Sequence, residues 1–393
     1  MSSLIVERAV DSLAGKKLEK YGSSVFAHIA QLAVQHKAIN MAQGFPNFNY
    51  SDKLLRLANE YSLKGFNQYA PMPGDLQLRE QLAEKTENLY GTTYRADTEI
   101  NITTGALQAV YSAITSIVEQ GDEVIIFEPA FDCYRPVVEL NGGVPVTIEL
   151  SFPDFHINWQ QVKKQISPKT RAIVINSPNN PTGKVFTQND FEQLIAIVRN
   201  TNIVIISDEV YEHMVFDGQQ HLSAASFPEL KERSFVISSF GKTLHVTGWR
   251  IGYCLAPDYL MRDFRKIHQF MVFSASSHAQ QKAIADFMAE EKDYTTEINA
   301  IYRKKRDYFS AAIQSSRLKQ LPVEASFFML LNYSQISMED DVVMAEKLIK
   351  ENKIATIPFS AFFNKGNKDK LLRICFAKTN DVLEQAIDVL NKV

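Results

Sequence analysis

Short apolar runs alternate with helical stretches from about residue 100 to residue 256, and this pattern dominates the middle of the chain. The runs are nearly unbroken and rich in β-branched residues, which is typical of strands buried on both faces. Two periodic segments between them, 106–119 and 189–199, are long enough to be crossover helices. The predicted strands are 100–103, 123–127, 144–149, 172–176, 203–207 and 234–238. We therefore expect a mainly parallel sheet with helices on both faces, an α/β fold.

The last third of the chain predicts a second, smaller unit of the α+β kind. Residues 251–256 form a further strand of the first sheet. The segment from 258 to about 291 has no Gly or Pro and predicts one extended helix that leads out of that sheet. The elements predicted beyond it are strands at 325–332 and 371–376 and helices at 341–350 and 382–390.

Composition limits the class of protein and its partners. The chain has 393 residues, of which 45% are apolar and 22% charged, so it can bury a large core divided between two domains. The net charge of -3 and the lack of a long Lys/Arg block argue against nucleic acid as a partner. Glu7, Arg8 and Asp11 interrupt the apolar positions near the amino terminus, so we expect no signal peptide, no membrane span and a cytoplasmic location.

The three cysteines, Cys133, Cys254 and Cys375, lie far apart in apolar or aromatic sequence. That spacing predicts buried, reduced thiols rather than a disulfide framework. No metal-ligand spacing appears among the cysteines or the eight histidines, so we expect no metal site.

Candidate site residues follow the predicted strands, at the end of a sheet where open α/β proteins bind ligands. Gly105 lies in a turn that opens directly into a helix and leaves backbone N–H groups for a phosphate, although such a turn can also serve only to start the helix. Phe131 either stacks on a flat ring or caps the edge of the core. The run of turn-forming residues at 176–183 holds the amide of Asn180 rigidly at the end of the sheet.

Two ionisable residues indicate a cofactor. Asp208 ends the most apolar strand, where it either caps the following helix or pairs with a cation such as a protonated pyridine nitrogen. Lys242 lies among small hydroxyl, glycine and aromatic residues in 238–243, a setting that suits covalent chemistry with an aldehyde. The lysine, the acid, the Asn-Pro turn and the glycine turn together fit pyridoxal phosphate.

These motifs resemble the class I, fold-type I pyridoxal-phosphate-dependent aminotransferases. The resemblance covers essentially the whole chain, and its most specific parts are Asn179-Asn180-Pro181-Thr182-Gly183, Asp208-Glu209-Val210-Tyr211, Ser238-Ser239-Phe240-Gly241-Lys242-Thr243 and Gly248-Trp249-Arg250. Within the family the chain looks most similar to the methionine aminotransferases and the kynurenine and glutamine transaminases, through the motifs at 43–46, 67–70 and 131–134.

The resemblance implies a mainly parallel seven-stranded sheet in a large domain, 46–289, and a small discontinuous domain, 1–45 with 290–393. It implies that Lys242 holds the cofactor covalently and moves a proton as general base and acid. Asp208 would keep the ring nitrogen protonated. The other implied cofactor contacts are Asn180 and Tyr211 to the ring hydroxyl, Phe131 to the ring face, and Gly105, Ala106, Leu107, Ser239 and Arg250 to the phosphate, with Tyr69 reaching across from a second subunit. A homodimer with shared sites follows.

For the substrate, the resemblance implies that Arg373 binds the α-carboxylate, although its strand position alone would equally fit a surface residue. Gly44 would let the backbone pass close to the substrate, and Asn180 would contact the substrate as well as the cofactor. Phe26, Phe131 and Phe273 are expected near the side-chain pocket, unless they are core residues, and for Phe273 donation by the partner subunit is a further alternative. These features predict that the amino donor is a neutral amino acid, with methionine first, then aromatic amino acids, kynurenine and glutamine. The predicted amino acceptor is a 2-oxo acid.

Two positions depart from the family pattern. Ala325 replaces a common glycine, and 274–278 lacks a frequent Thr-Pro step, which affects the shape of the pocket and of the partner-facing loop.

Three functions stay open at this stage. The first is a transaminase, the second a β-lyase acting on cysteine S-conjugates or cystathionine-like substrates, and the third a non-catalytic sensor with the same fold.

Overall fold

The computed structural model describes residues 17–19, 21–22 and 24–393. The residues near the amino terminus on which the expectation about targeting rests, together with the first part of the segment 1–45, lie mostly outside the described residues. Within the described part, no helix is long and apolar enough to cross a membrane.

A seven-stranded sheet forms the centre of the molecule, in the order β2-β8-β7-β6-β5-β3-β4. The strands β3 to β7 pair in parallel, whereas β8 is antiparallel to both of its neighbours. This mainly parallel α/β sheet confirms the fold predicted from the apolar runs. The strands in the described residues are Ile39–Asn40 (β1), Ile100–Thr103 (β2), Glu123–Glu128 (β3), Val144–Glu149 (β4), Thr170–Asn176 (β5), Val204–Asp208 (β6), Ser234–Ser239 (β7), Gly252–Leu255 (β8), Lys319–Gln320 (β9), Phe328–Asn332 (β10), Ile354–Ala355 (β11), Ile357–Pro358 (β12) and Leu371–Cys375 (β13).

Helices cover both faces of this sheet, and two apolar cores lie on its two sides. The α-helices are Val25–Gln35 (α1), Asp52–Leu63 (α2), Leu76–Tyr90 (α3), Gly105–Ile117 (α4), Tyr134–Leu140 (α5), Trp159–Gln165 (α6), Gln188–Val198 (α7), Pro228–Lys231 (α8), Phe240–Thr243 (α9), Asp258–Val272 (α10), His278–Glu290 (α11), Tyr294–Ala312 (α12), Asp341–Lys347 (α13) and Asn380–Leu390 (α14). Short 3₁₀ segments are Ala224–Ser226, Thr247–Trp249 and Phe359–Phe362, and Leu348–Asn352 is a π-helical turn.

The extended helix predicted from 258 to about 291 is wrong, because the structure has two helices, α10 and α11, with a break between them. Phe273 and Ser277, on either side of the break, both have a φ of 63°. Tertiary hydrogen bonds hold the break open: Ser274 Oγ donates to the carbonyl of Ala70, and Ser277 Oγ donates to the carbonyl of Trp249. These bonds join segments that are distant in the sequence. The break therefore needs no Gly or Pro, and the local sequence does not indicate it.

A second sheet has the order β12-β13-β10-β9 and is antiparallel, and β1 pairs in parallel with β11. The strand predicted at 325–332 begins only at Phe328. Ser326 has a φ of 65°, and Ala325 instead forms an isolated antiparallel bridge with Val215. The segment just before the second-sheet strand β10 is therefore in direct contact with the segment around Val215, which follows β6.

Candidate functional site

A cavity of about 280 Å³ lies where the carboxyl ends of the central strands meet the second sheet. The predicted site residues that line it are Phe26, Gly44, Ala106, Leu107, Phe131, Asn180, Asp208, Tyr211, Ser239, Lys242, Arg250 and Arg373. The structure thus brings together side chains that are more than 300 positions apart, because strand ends from one sheet face strand β13 of the other. Only Gly105, Tyr69 and Phe273 among the predicted residues do not line this cavity.

The start of α4 and Arg250 form one end of the cavity. Helix α4 begins at Gly105, and the residue before it, Thr104, makes no side-chain capping bond, so the first backbone N–H groups stay available for an anion. Gly105 has a φ of +74°, and a Cβ added there would lie 2.6 Å from Nη2 of Arg250. Glycine is therefore required both for the backbone conformation and for the approach of the guanidinium.

Asp208, the last residue of β6, is 5% exposed and accepts a 2.6 Å hydrogen bond from Tyr134. Burial raises the pKa of the Asp208 carboxyl to about 6, although the bonds from Tyr134 and from the backbone N–H of Val210 favour the charged form. A cation placed beside this carboxylate would be stabilised strongly, because the surrounding protein offers little competing water.

Lys242 lies on the short helix α9, directly after β7. Its Nζ donates a 2.7 Å hydrogen bond to the carbonyl of Gly44 and lies 5.6 Å from the ring centroid of Phe327. Removal from bulk water lowers the pKa of Lys242 to about 8. A substantial fraction of this amine is therefore neutral and nucleophilic near physiological pH.

Arg373, in the middle of β13, is 2% exposed and meets Asn180 on the opposite side of the cavity. Its Nη1 donates to Oδ1 of Asn180 at 2.9 Å, and its Nη2 donates to the carbonyl of Ala42 at 2.7 Å. The guanidinium carbon lies 4.1 Å from the ring centroid of Phe328 and 5.6 Å from that of Phe26. Burial lowers the pKa of Arg373 to about 10, so the side chain remains a cation at neutral pH.

Several polar groups on the cavity have no partner among the described residues. The hydroxyl of Tyr211 and Nδ2 of Asn180 belong to side chains that line the cavity, and neither atom makes a hydrogen bond within the described part of the chain. The Nε of Arg373 is buried without an acceptor in the same part of the chain. Donors of this kind suit a ligand with oxygen acceptors.

Tyr69 and Phe273 lie elsewhere, packed against each other with ring centroids 5.2 Å apart. Both are exposed, Tyr69 to 80% and Phe273 to 64%, and neither borders the cavity of its own chain. Within one chain the structure therefore separates these two residues from the rest of the predicted site. Their predicted contact with the site of a second subunit stays a prediction.

Tyr134, Val210 and Phe328 line the cavity but were not predicted. Tyr134, at the start of α5, closes the 131–134 motif quoted for the family resemblance, and this was the signal that could have identified it. Val210 lies within the Asp208-Glu209-Val210-Tyr211 motif. Nothing in the sequence indicated Phe328, because an apolar residue at the start of a buried strand cannot be distinguished from a core residue by its sequence.

A scan against protein families matches residues 36–390 to the class I and II aminotransferases. Among known proteins, the methionine aminotransferase of Escherichia coli (strain K12) is 42% identical over 377 residues, which cover 96% of this chain and 97% of that protein. Kynurenine–oxoglutarate transaminase 1 of Homo sapiens is 31% identical, with 97% of this chain and 98% of that protein covered.

Solved structures agree with these relatives. A crystal structure of an Escherichia coli protein identified as a methionine aminotransferase superposes with a TM-score of 0.94 at 41% identity and covers 97% of this chain and 100% of that one. The N-succinyldiaminopimelate aminotransferase of Mycobacterium tuberculosis superposes with a TM-score of 0.93 at 33% identity, with 96% and 99% covered.

Proposed function

Because the chain belongs to the class I and II aminotransferases, and thus catalyses transamination of amino acids, we propose that its donor is a neutral L-amino acid, methionine first, and its acceptor a 2-oxo acid. The observation that carries this proposal is a single cavity with a buried cation, Arg373, opposite the amine of Lys242, and with phenyl rings of Phe26, Phe131 and Phe328 around it.

Members of this family use pyridoxal phosphate, and the residues on the cavity fit that group. The uncapped start of α4, Ser239 and Arg250 would hold the phosphate, and Gly105 leaves the space that a Cβ would fill. Asp208 would hold the ring nitrogen, whereas the unpartnered donors of Asn180 and Tyr211 suit the ring hydroxyl. Phe131 and Val210, on the same cavity, would contact the ring. When bound, the cofactor supplies an aldehyde that takes up the amino group and a ring that spreads the negative charge developing at the substrate Cα.

The residues of this chain would supply attachment, charge and proton transfer. Lys242 would hold the cofactor through Nζ and, once displaced by the substrate amine, act as the base that removes the proton from Cα. Its lowered pKa, about 8, supports this role, because an amine with the usual value near 10.5 is almost fully protonated at neutral pH. The carboxylate of Asp208 would favour a protonated ring nitrogen electrostatically.

Arg373 would bind the α-carboxylate of donor and acceptor alike. Asn180 and the carbonyl of Ala42 fix the two Nη atoms, so the guanidinium plane is held in place before a substrate arrives. Gly44 lines the cavity, and its N–H has no acceptor among the described residues, so we propose that it binds a substrate oxygen. A Cβ at Gly44 would lie 2.7 Å from Cζ of Phe328, which explains why a larger residue does not fit.

The side-chain pocket supports a neutral substrate. The cations that line the cavity in the described part of the chain are Lys242, Arg250 and Arg373, and each already has a role. A second carboxylate would therefore be buried beside phenyl rings without a partner, which is costly. An apolar pocket discriminates by only about 10- to 200-fold per methylene, so we expect overlapping activity on methionine, aromatic amino acids, kynurenine and glutamine.

We also propose a homodimer with shared sites and a division into a large domain, 46–289, and a small domain, 1–45 with 290–393. An exposed apolar cluster supports the dimer: Tyr69, Phe270, Met271 and Phe273 are 80%, 89%, 39% and 64% exposed. Tyr69 and Phe273 are in ring contact, and Phe270 and Met271 lie at the end of α10 just before Phe273. Exposed apolar side chains grouped in this way are typical of a protein interface. The separate second sheet, which carries Arg373, supports the division into domains.

A panel of amino acids with one 2-oxo acid acceptor tests the proposed substrate. We expect kcat/KM to be highest for methionine, followed by phenylalanine, kynurenine and glutamine, with aspartate poor. Product 2-oxo acid is measured in one assay, and pyruvate with ammonia in another, because a β-lyase releases the latter pair. A clear preference for aspartate would contradict the proposed pocket.

A further inference from the structure

The loop Asn40–Phe45 has an unusual set of backbone partners. Each of its carbonyls from Ala42 to Phe45 accepts a hydrogen bond from a cationic side chain. Arg373 binds the carbonyl of Ala42 at 2.7 Å and Lys242 that of Gly44 at 2.7 Å. Lys378 binds the carbonyls of Gln43 and Phe45, at 3.1 and 2.9 Å.

Two of these three cations have roles in the proposed chemistry, but Lys378 does not line the cavity. Lys378 is 3% exposed, and its Nζ lies 4.6 Å from the ring centroid of Phe45. Burying an ammonium is unfavourable, and lysine is rarely found fully buried without partners that justify it. Among the described residues, both hydrogen-bond partners of the Lys378 ammonium are carbonyls of this loop.

The same loop is held on its other side by local bonds and by β13. Oδ1 of Asn40 accepts bonds from the N–H groups of Ala42 and Gln43, and the N–H of Cys375 donates to the carbonyl of Met41. Gly44 is left at the tip between the ring of Phe328 and the amine of Lys242. Lys378 binds the carbonyls immediately before and after Gly44, and thus controls where Gly44 lies.

We propose that Lys378 is a positioning residue for amino-acid binding, which holds the Gly44 loop so that Gly44 N–H, Arg373 and Lys242 keep their relative geometry. The expected effect on KM rests on the proposed function, whereas the expected effect on the mobility of the loop does not. Without the ammonium, the carbonyls of Gln43 and Phe45 lose a charged donor, and the loop loses its attachment on both sides of Gly44.

The test compares Lys378→Met with Lys305→Met. Met keeps an apolar stem beside Phe45 but removes the ammonium. Lys305 is a matched control, because its Nζ also donates to a backbone carbonyl, that of Lys378, at 2.7 Å and lies 4.7 Å from the ring centroid of Phe48, yet it makes no bond to the loop.

Hydrogen exchange is measured first, on cofactor-loaded protein without substrate, for the peptide that covers 40–47. We expect exchange in Lys378→Met to be faster by about tenfold or more than in wild type, with the control unchanged. For methionine, we expect KM to rise about tenfold while kcat falls by less than about threefold and cofactor affinity is unchanged, since the lost bonds lie on the substrate side of the cavity. Lys378→Arg, which keeps a cation, should recover most of the KM.

Exchange and KM that both stay within about twofold of wild type would overturn the proposal, as would equal changes in Lys305→Met. If Lys378→Met does not fold, Lys378→Gln serves instead, since its shorter side chain cannot reach both carbonyls, and the same outcomes apply. If wild type does not transaminate methionine, the proposed substrate fails, whereas the exchange measurement still decides the role of Lys378.

Discussion

The hydroxyl of Tyr134 donates a 2.6 Å hydrogen bond to Oδ2 of Asp208, and both side chains are buried. This bond stabilises the charged form of a carboxyl whose pKa burial raises to about 6. Because only the carboxylate pairs electrostatically with a protonated ring nitrogen, we predict that Tyr134 supports cofactor binding through Asp208.

Tyr134→Phe should therefore weaken cofactor retention by about tenfold or more, as expected for the loss of a hydrogen bond to a charged group worth about 1.5–3 kcal/mol. The pKa of Asp208 should rise further, so cofactor affinity should begin to fall at a higher pH as the solution is acidified. Cofactor titration by absorbance at several pH values measures both effects. Tyr94→Phe is the control, since the buried hydroxyl of Tyr94 has no partner among the described residues. Identical affinities for Tyr134→Phe and wild type at all pH values would contradict this role.

Lys242 should be the residue that carries the cofactor. Purified protein should absorb visible light, and borohydride should attach the cofactor permanently to the peptide that contains Lys242. Lys242→Ala should fold and bind the cofactor without a covalent bond, yet lose transamination by about 10³-fold or more. Mass spectrometry of the reduced, digested protein identifies the labelled peptide. A label on a different lysine, or near-normal turnover of the variant, would remove Lys242 from the mechanism.

Cofactor-free protein should gain stability when the amine of Lys242 is removed. Burial lowers the pKa of this lysine from 10.5 to about 8, so the folded protein binds fewer protons than the unfolded chain between these pH values. Wild-type stability should consequently rise with pH from about 8 to 10.5. Lys242→Met should lack that rise and be more stable at pH 7 by about 1–3 kcal/mol.

Urea unfolding of the cofactor-free proteins between pH 7 and 10.5 measures this difference. The exposed Lys266 provides the control variant, Lys266→Met, which should follow the wild-type curve. Parallel curves for wild type and Lys242→Met would show that the amine of Lys242 titrates normally in the folded protein.

Arg373→Lys should weaken substrate binding strongly, although the substitution keeps the positive charge. A lysine ammonium cannot bind Asn180 and the carbonyl of Ala42 while presenting a planar pair of donors to a carboxylate. We expect kcat/KM for methionine to fall by about 100-fold, mostly through KM. The matched control is Arg306→Lys, because Arg306 pairs with Asp217 and packs on Phe216 outside the cavity. A fall of less than about fivefold would contradict carboxylate binding by Arg373.

Shared sites predict that two inactive variants complement each other. Tyr69→Ala removes the residue proposed to reach into the partner's site, and Lys242→Ala removes the amine within the chain's own site. In a mixed dimer one of the two sites would be intact, so refolding an equal mixture should restore about a quarter of the wild-type activity. Activity that stays at the level of the separate variants would argue that Tyr69 acts within its own chain or not at all.

Much of the central sheet could be predicted because strands buried on both faces require long β-branched runs, as at Val204–Asp208. The polar residues at the ends of those strands line one cavity because parallel strands end at the same edge of a sheet. Asp208, Asn180 and Lys242 were predictable on these grounds.

Other features depend on contacts between distant segments and left no local pattern. The break between α10 and α11 is held by bonds to Ala70 and Trp249, more than 20 residues away in each case. The partners of the Gly44 loop come from near residues 242 and 373–378, so nothing around residue 44 indicated them. Phe328 resembled core because it is core on one side and cavity wall on the other.

The placement of Phe26 and Phe131 off the strands of the central sheet bears on how such enzymes diverge. Phe26 lies on α1 and Phe131 in the connection between β3 and α5, whereas Asp208 ends a strand and Lys242 directly follows one. A substitution of Phe26 therefore need not disturb the strand ends on which most of the proposed cofactor contacts depend, whereas a substitution of Phe131 would also remove a proposed ring contact. Substrate preference can then change through α1 while the groups at the strand ends stay the same. The range of names among relatives that are 31–42% identical to this chain accords with that evolutionary freedom.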